Sequence, residues 1–288
     1  VVTVSHEGFV KRIPMHLYRR RITSGKALAG MEKYDEDYLE RVFVARTQGW
    51  ILVFTRGGHV FFLPVLDVPE GSRASRGQSL YALAGASRQD PIVTALPVDD
   101  LELDRNLIFL TRQGLMKRTS LGDFSNPRAG GIIAAGVKSG DEIFEVILSD
   151  GKAEVMVFSR TGRAIRFPES QISVLGRTAQ GVKGMGLRGE DSVVGMLLVR
   201  REAQVMTMTE DGYARRTGVD EFPLQNRGGL GTMVLPGGAE AGALVSALEV
   251  VSGEDVMVVS AGGKVVRVPV ADIPEQHRRS RGRRLVSL

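Results

Sequence analysis

The sequence predicts an all-β fold, a propeller-like disc of six four-stranded blades. Three observations lead there: a sixfold internal repeat, a strand–turn–strand pattern inside each copy, and a second glycine at a near-fixed distance from the first. The repeat is marked by Ser/Thr-x-x-Gly directly after an apolar run, at Ser5–Gly8, Thr55–Gly58, Thr111–Gly114, Ser159–Gly162, Thr209–Gly212 and Ser260–Gly263. These glycines are 50, 56, 48, 50 and 51 residues apart. A unit of this size cannot bury its own apolar face, so copies must stack around an axis.

Each element follows in order. The first strand is a short apolar run such as Ile51–Phe54, Leu107–Leu110, Val155–Phe158, Val205–Met208 or Val256–Val259. The turn glycine then supplies φ > 0 without steric cost. The second strand, as in Arg163–Pro168, Tyr213–Thr217 or Lys264–Pro269, roughly alternates polar and apolar residues. A connector follows and closes at Gly25, Gly77, Gly131, Gly181, Gly231 and Gly282, 17 or 19 residues after the turn glycine. Two more strand candidates complete a copy, for example residues 181–187 and Ser192–Val199. Four strands in each of six copies lie within the usual range of propellers. The approximate blades are 1–48, 49–104, 105–152, 153–202, 203–253 and 254–288, read as one continuous domain.

Composition bounds the rest. The chain has 288 residues, 43% of them hydrophobic, with 35 glycines and no cysteine. It can bury a sizeable core, and thiolate metal sites and disulfides are excluded. A reducing cytoplasm fits that usage. No apolar run is long enough to cross a bilayer, so no membrane partner is expected. The chain opens on Val1 inside a strand and the sixth copy stops before a fourth strand, so it reads as a fragment of a longer polypeptide.

Charge is sorted by position within the repeat. The hairpin-plus-connector stretches (1–30, 55–81, 111–138, 159–188, 209–231 and 260–288) hold 30 of the 38 Lys and Arg but 11 of the 33 Asp and Glu. They carry about +19 and the remainder about −14. A single basic loop is usually a solvated tip. A bias that recurs from copy to copy predicts a polyanion-binding belt. An arginine also stands four residues before the closing glycine in five copies (Arg21, Arg73, Arg177, Arg227, Arg278) and three before it in the third (Arg128). A planar guanidinium beside exposed backbone N–H groups suits a phosphate. The cations assigned to the surface are Lys11, Arg12, Lys117, Arg118, Arg163, Arg215 and Arg216 on hairpins. On connectors they are Arg19, Arg20, Arg21, Lys26, Arg73, Arg76, Arg128, Arg177, Lys183, Arg227, Arg278, Arg279, Arg281, Arg283 and Arg284.

Enzymatic readings of the chain are poor. His6, His16, His59 and His277 are scattered without metal-ligand spacing, and Gly25-Lys26 is followed by alanine, so it is no P-loop. The carboxylate pairs Asp99/Asp100 and Glu190/Asp191 read as solvated turns. A protein-interaction propeller of the kelch or WD40 kind would show Trp-Asp or Gly-His signatures, which are absent. Single-strand binding would need exposed rings, whereas aromatics are 6% of the chain and sit mostly in apolar strands.

A family resemblance is carried by residues 2–11, Ser75-Arg-Gly-Gln78, Asn126-Pro-Arg-Ala-Gly-Gly131, residues 176–184, Asp211-Gly-Tyr-Ala-Arg-Arg-Thr217 and their order along the whole chain. The chain resembles the C-terminal DNA-wrapping domain of bacterial DNA gyrase, on its A subunit, with that of the related topoisomerase IV. The resemblance implies a six-bladed β-pinwheel, in which neighbouring blades exchange strands and duplex DNA wraps the rim. It also implies a parent type II topoisomerase in the cytoplasm, at the nucleoid. The breakage-reunion domain, the ATPase partner of the heterotetramer, ATP and magnesium all lie outside this chain, and no cofactor is expected within it. The gyrase relatives carry a blade-one box, Gln-(Arg/Lys)-Arg-Gly-Gly-(Arg/Lys)-Gly. Here Arg21–Ala27 keeps Gly25 and Lys26, while Gln225-Asn-Arg227-Gly228-Gly229-Leu-Gly231 in blade five fits five of seven positions. The resemblance therefore implies DNA contact with weaker wrapping, and leaves a topoisomerase IV-type role open.

Overall fold

The computed structural model describes residues 1–18, 37–72, 75–199, 203–235, 242–260 and 265–285. The first copy supplies β1 (Val2–Ser5), β2 (Phe9–Arg12), α1 (Met15–Tyr18) and β3 (Leu39–Phe43). The second supplies β4 (Trp50–Thr55), β5 (His59–Pro64), β6 (Gln78–Ser79), α2 (Leu80–Ala84) and β7 (Ile92–Val98). From the third come β8 (Asn106–Thr111), β9 (Leu115–Ser120), β10 (Ile132–Ile133) and β11 (Ile143–Ser149). The fourth contributes β12 (Glu154–Ser159), β13 (Arg163–Pro168), β14 (Val182–Lys183) and β15 (Val193–Val199). The fifth contributes β16 (Gln204–Thr209), β17 (Tyr213–Gly218), β18 (Thr232–Met233) and β19 (Leu244–Val250). The sixth adds β20 (Asp255–Val259), β21 (Val265–Pro269) and β22 (Arg283–Arg284).

All strand pairs are antiparallel, and the short strand of each later copy joins the sheet of the copy before it. The sheet orders are β3-β1-β2-β6, β10-β5-β4-β7, β11-β8-β9-β14, β15-β12-β13-β18 and β19-β16-β17-β22. The sixth copy keeps the two-stranded sheet β20-β21. The expectation of six four-stranded blades is thus corrected: among the described residues there are five. The reason is the direction of exchange, because each blade borrows its outer strand from the following copy, and six copies linked this way complete five sheets. The candidate strand at 181–187 also shrinks to β14, since the N–H groups of Gly184 and Met185 both turn onto the Gly114 carbonyl.

The hairpin turns form as the repeat dictates. Gly8, Gly58, Gly114, Gly162 and Gly212 have φ between 79° and 85°, and each donates its N–H to the Ser or Thr carbonyl three residues earlier at 2.9–3.1 Å. In the second, third and fourth copies the first strand is buried on both faces, with β4, β8 and β12 each covered over five consecutive residues. That burial explains why these runs are continuously apolar rather than alternating.

The chain divides into two compact units, one of Val1–Leu103 and Leu121–Ala135, the other of Asp104–Ser120, Gly136–Ser260 and Lys264–Leu288. In the first, Val4, Val10, Ile51, Val53, Leu63, Leu80 and Ala95 form a core. In the second, one core gathers Ile108, Leu110, Val155, Val157, Ile165, Phe167 and Val193, and others gather Phe158, Leu197, Phe222 and Leu244, then Met206, Val258, Val268 and Ile273. Among the described residues no helix is long and apolar enough to cross a membrane.

One buried acid stands where sister copies are apolar. Glu169 is fully buried at the place held by Val65, Leu121, Val219 and Val270 in other copies. Its carboxylate accepts the Ser149 hydroxyl and the Ala153 N–H at 3.3 Å, with Arg118 Nη1 at 3.7 Å. Ser149 in turn replaces Val98, Val199 and Val250 of the other copies. Glu169→Val alone should cost about 1–3 kcal/mol, because Ser149 and Ala153 lose their acceptor inside the protein. Replacing both, Ser149→Val with Glu169→Val, should recover most of that loss, since well-packed apolar groups often match a buried polar pair. Thermal melting checks it; a double variant less stable than the single one would refute the account.

Candidate nucleic-acid interface

The connectors are held in place by cations of the preceding hairpin, and this divides the predicted site residues into two groups. Lys11, Lys117 and Arg215 occupy one repeat position and are 0–1% exposed. Lys11 Nζ donates to the Ser75 carbonyl at 2.5 Å. Lys117 Nζ donates to the carbonyls of Gly176 at 3.0 Å and Arg177 at 2.6 Å. Arg215 donates to the carbonyls of Val234 and Arg278. Burial pushes the Lys11 ammonium below its usual pKa and brings the Arg215 guanidinium down to about 10. These three are therefore corrected from surface cations to internal ones: a group with no exposed surface, already bonded to carbonyls, does not reach a phosphate.

The next residue repeats a second anchor. Arg12 Nε donates to Val68 O at 2.8 Å, Arg118 Nε to Ile172 O at 2.9 Å and Arg216 Nε to Ile273 O at 2.7 Å. Their backbones form parallel bridges with Glu70, Val174 and Glu275 of the connectors. Arg12 also pairs with Glu70 at 2.9 Å, and Arg216 Nη1 donates to Gln204 Oε1 at 2.6 Å. All three are partly exposed and act first as connector anchors. Arg163 lies partly buried with Nη1 3.3 Å from the Gly231 carbonyl.

The closing glycines explain how the connectors dock. Gly77, Gly131, Gly181, Gly231 and Gly282 have φ between 70° and 102°. A Cβ on any of them would stand 2.3–2.8 Å from the carbonyl oxygen of the strand it joins, on Val10, Val60, Met116, Ala164 and Ala214 respectively. Glycine is needed twice over, for its backbone conformation and for the close approach.

What remains on the surface sits on these connectors. Arg128, Lys183, Arg279, Arg281, Arg283 and Arg284 are exposed, and Arg76, Arg177, Arg227 and Arg278 are half-buried. Arg76 lies 3.7 Å over the Phe9 ring and Arg281 4.2 Å over the Tyr213 ring, arrangements that fix each guanidinium against an aromatic face. Arg227 is held more fully, with Nε on Gln171 O at 2.8 Å and Nη1 on Lys183 O at 3.0 Å. Arg278 Nη1 lies 3.3 Å from Glu221 O. Arg19, Arg20, Arg21, Gly25, Lys26 and Arg73 lie outside the described residues.

The box-like stretch of the fifth copy has a packing role. Gln225 donates its N–H to Arg166 O at 2.8 Å, Gly228 donates to Gly184 O at 2.6 Å, and Gly229 O accepts from Gly186 at 2.8 Å. Gly228 and Gly231 have φ of 85° and 70°.

Sequence reasoning missed four acids as a repeated feature. Asp37, Asp90, Asp141 and Asp191 each accept the N–H of the residue directly before the turn glycine, on Glu7, Gly57, Gln113 and Thr161, at 2.7–3.0 Å. Each lies two residues before β3, β7, β11 or β15, a spacing visible in the sequence. Asp191 is thus a turn cap and not merely solvated. Among the described residues no cluster of His, Asp or Glu could hold a metal ion.

Comparison with known proteins locates this architecture. The sequence model of the DNA gyrase C-terminal domain, beta-propeller, matches residues 1–46, 49–99, 105–150, 153–200, 203–252 and 254–288. The DNA gyrase A subunit of Salmonella typhimurium is 36% identical over 282 residues, 98% of this chain and 32% of that protein. Its Staphylococcus epidermidis counterpart is 38% identical over 291 residues, 100% of this chain and 33% of that protein. The chain spans about a third of the length of these relatives. Among solved structures, the C-terminal domain of a DNA topoisomerase IV superposes with a TM-score of 0.84 at 25% identity, covering 99% of this chain and 88% of that one. A DNA gyrase A C-terminal domain gives 0.81 at 24% identity, covering 100% and 94%, a likeness of fold. Six matched stretches that span nearly the whole chain, with exchanged strands docked on glycines, lead to one family: the chain belongs to the DNA gyrase C-terminal domain, beta-propeller family.

Proposed function

We propose that this chain binds duplex DNA without sequence preference and bends it along its connectors, as part of a gyrase-like type II topoisomerase. The observation that carries the reading is the recurrence of exposed cations on equivalent connectors, at Arg128, at Lys183 and at Arg279 to Arg284. Cations repeated in this way meet phosphates, which position a duplex but carry no sequence information. In the parent enzyme, strand cleavage belongs to a breakage-reunion domain, and ATP and magnesium chemistry to other parts of a heterotetramer. The six copies would act together as one DNA-binding body, in the cytoplasm at the nucleoid.

A second reading has its own support. The blade-one box at 21–27 keeps two of seven residues, and in the fifth copy the Arg227 guanidinium is bonded to protein carbonyls. Both weaken wrapping and favour a topoisomerase IV-type role in relaxation or decatenation. Fluorescence anisotropy with a short duplex between 50 and 200 mM salt tests the main reading. If about ten phosphates are neutralised, log K falls against log salt with a slope of roughly −9. Binding that ignores salt, or that prefers one sequence at matched flexibility, would sink it.

A further inference from the structure

The residue that faces the connector from the second hairpin strand alternates around the repeat: Lys11, Phe61, Lys117, Ile165, Arg215, Val266. Odd copies place a cation under the connector of the next copy, and the second and fourth copies place an apolar side chain there, Phe61 against Gly131 and Ile165 against Gly229. The consequence is clearest in the turn Gly176–Gly181. Lys117 Nζ draws two successive carbonyls, Gly176 O and Arg177 O, toward the interior. Gly176 O also accepts the Ala179 N–H at 3.2 Å, which closes the turn. In a planar trans peptide the N–H points opposite to its carbonyl. The N–H groups of Arg177 and Thr178 are therefore turned outward, away from the lysine.

Sister turns reveal which groups such an outward N–H donates to. The Arg227 N–H, at the place equivalent to Arg177, donates to Gln171 Oε1 at 2.9 Å. The Arg278 N–H, equivalent again, donates to the Glu221 carboxylate at 3.4 Å. In the third copy the residue equivalent to Gln171 and Glu221 is the exposed Asp123, which takes no hydrogen bond from this turn, and the N–H groups of Arg177 and Thr178 have no partner among the described residues. The half-buried Arg177 and the exposed Lys183 stand on the same connector. Two adjacent outward donors, a buried cation beneath them and two basic side chains alongside make an anion seat.

We propose that this turn seats a phosphodiester oxygen of duplex DNA on the Arg177 and Thr178 N–H groups, with Lys117 as the positioning residue that holds them outward. The proposal rests on the DNA-binding reading above. Its test is hydrogen–deuterium exchange of the peptide spanning 175–181, with saturating short duplex and, separately, with inorganic phosphate at matched ionic strength. Two amides should slow about tenfold with duplex and stay unchanged with about 10 mM phosphate. Equal slowing by phosphate would overturn the assignment to DNA. Lys117→Met should abolish the slowing and reduce the salt slope by about 0.9, one phosphate, while Lys117→Arg restores both. An unchanged slope in a Lys117→Met protein that melts normally would remove the positioning role; if that variant does not fold, the wild-type exchange result decides. Duplex binding without any slowing at 175–181 sinks the seat alone. Absence of duplex binding by the unmodified chain sinks the DNA reading and the seat with it.

Discussion

Replacing Arg279, Arg281, Arg283 and Arg284 together with alanine should weaken duplex binding on the order of a thousandfold at about 0.1 M salt. Each phosphate contact contributes about 0.9 to the salt slope, so four lost contacts lower its magnitude by roughly 3.6. All four side chains are exposed. Arg283 and Arg284 sit on β22, paired with Ala214 and Tyr213, where the pairing is made by backbone and survives truncation. The melting temperature should therefore stay close to that of the unmodified chain, since exposed substitutions usually fall within about 0.5 kcal/mol. Anisotropy titrations at several salt concentrations, with a melt of each variant, check both statements. A variant that keeps its affinity and slope would show that the basic end of the sixth copy is not part of the DNA surface. The same truncation made at Lys11 or Arg215 would confound folding with binding, because those cations hold carbonyls inside, and at Lys117 binding is read only in a variant that melts normally.

Gly181→Val should destabilise the second unit by about 3–5 kcal/mol. Gly181 has φ of 102°, a conformation that costs an L-residue roughly 1–2 kcal/mol. Its Cβ would also stand 2.5 Å from the Met116 carbonyl. Relieving that clash pulls β14 from β9 and loses the pairing of Val182 with Met116 and Lys183 with Leu115, at about 1 kcal/mol per hydrogen bond. Gly218→Ala is the control, as nothing lies within 4 Å of its missing Cβ and its φ is not positive. That change should move stability by no more than about 0.5 kcal/mol. Thermal or urea unfolding separates the two; equal effects would mean that strand exchange contributes little to stability.

The two predictions draw on different levels of the molecule. The turn at Thr111–Gly114, the continuous apolar run Leu107–Leu110 and the closing Gly131 could each be recognised from neighbouring residues, because turn chemistry and strand periodicity are local. The family resemblance rests on those same local blocks. The exposed part of the candidate surface was legible too: Arg128, Lys183 and the arginines from Arg279 to Arg284 stand outside because connectors carry them.

The sequence by itself determined the repeat, its hairpins, the positions of the obligatory glycines and the concentration of cations on hairpin and connector. The tertiary structure alone decided which of those cations face water. Lys11 and Arg12 are adjacent and both basic, yet Lys11 is enclosed by a connector some sixty residues further along and Arg12 is not. It also decided that, among the described residues, five sheets and not six are four-stranded, because donation of each outer strand to the preceding copy is a pairing across the repeat that no single copy encodes. Turns are fixed by the φ and hydrogen-bonding preferences of a few consecutive residues. Burial of a charge is fixed by which distant carbonyls come to meet it, and that depends on the docking of a strand from the next copy.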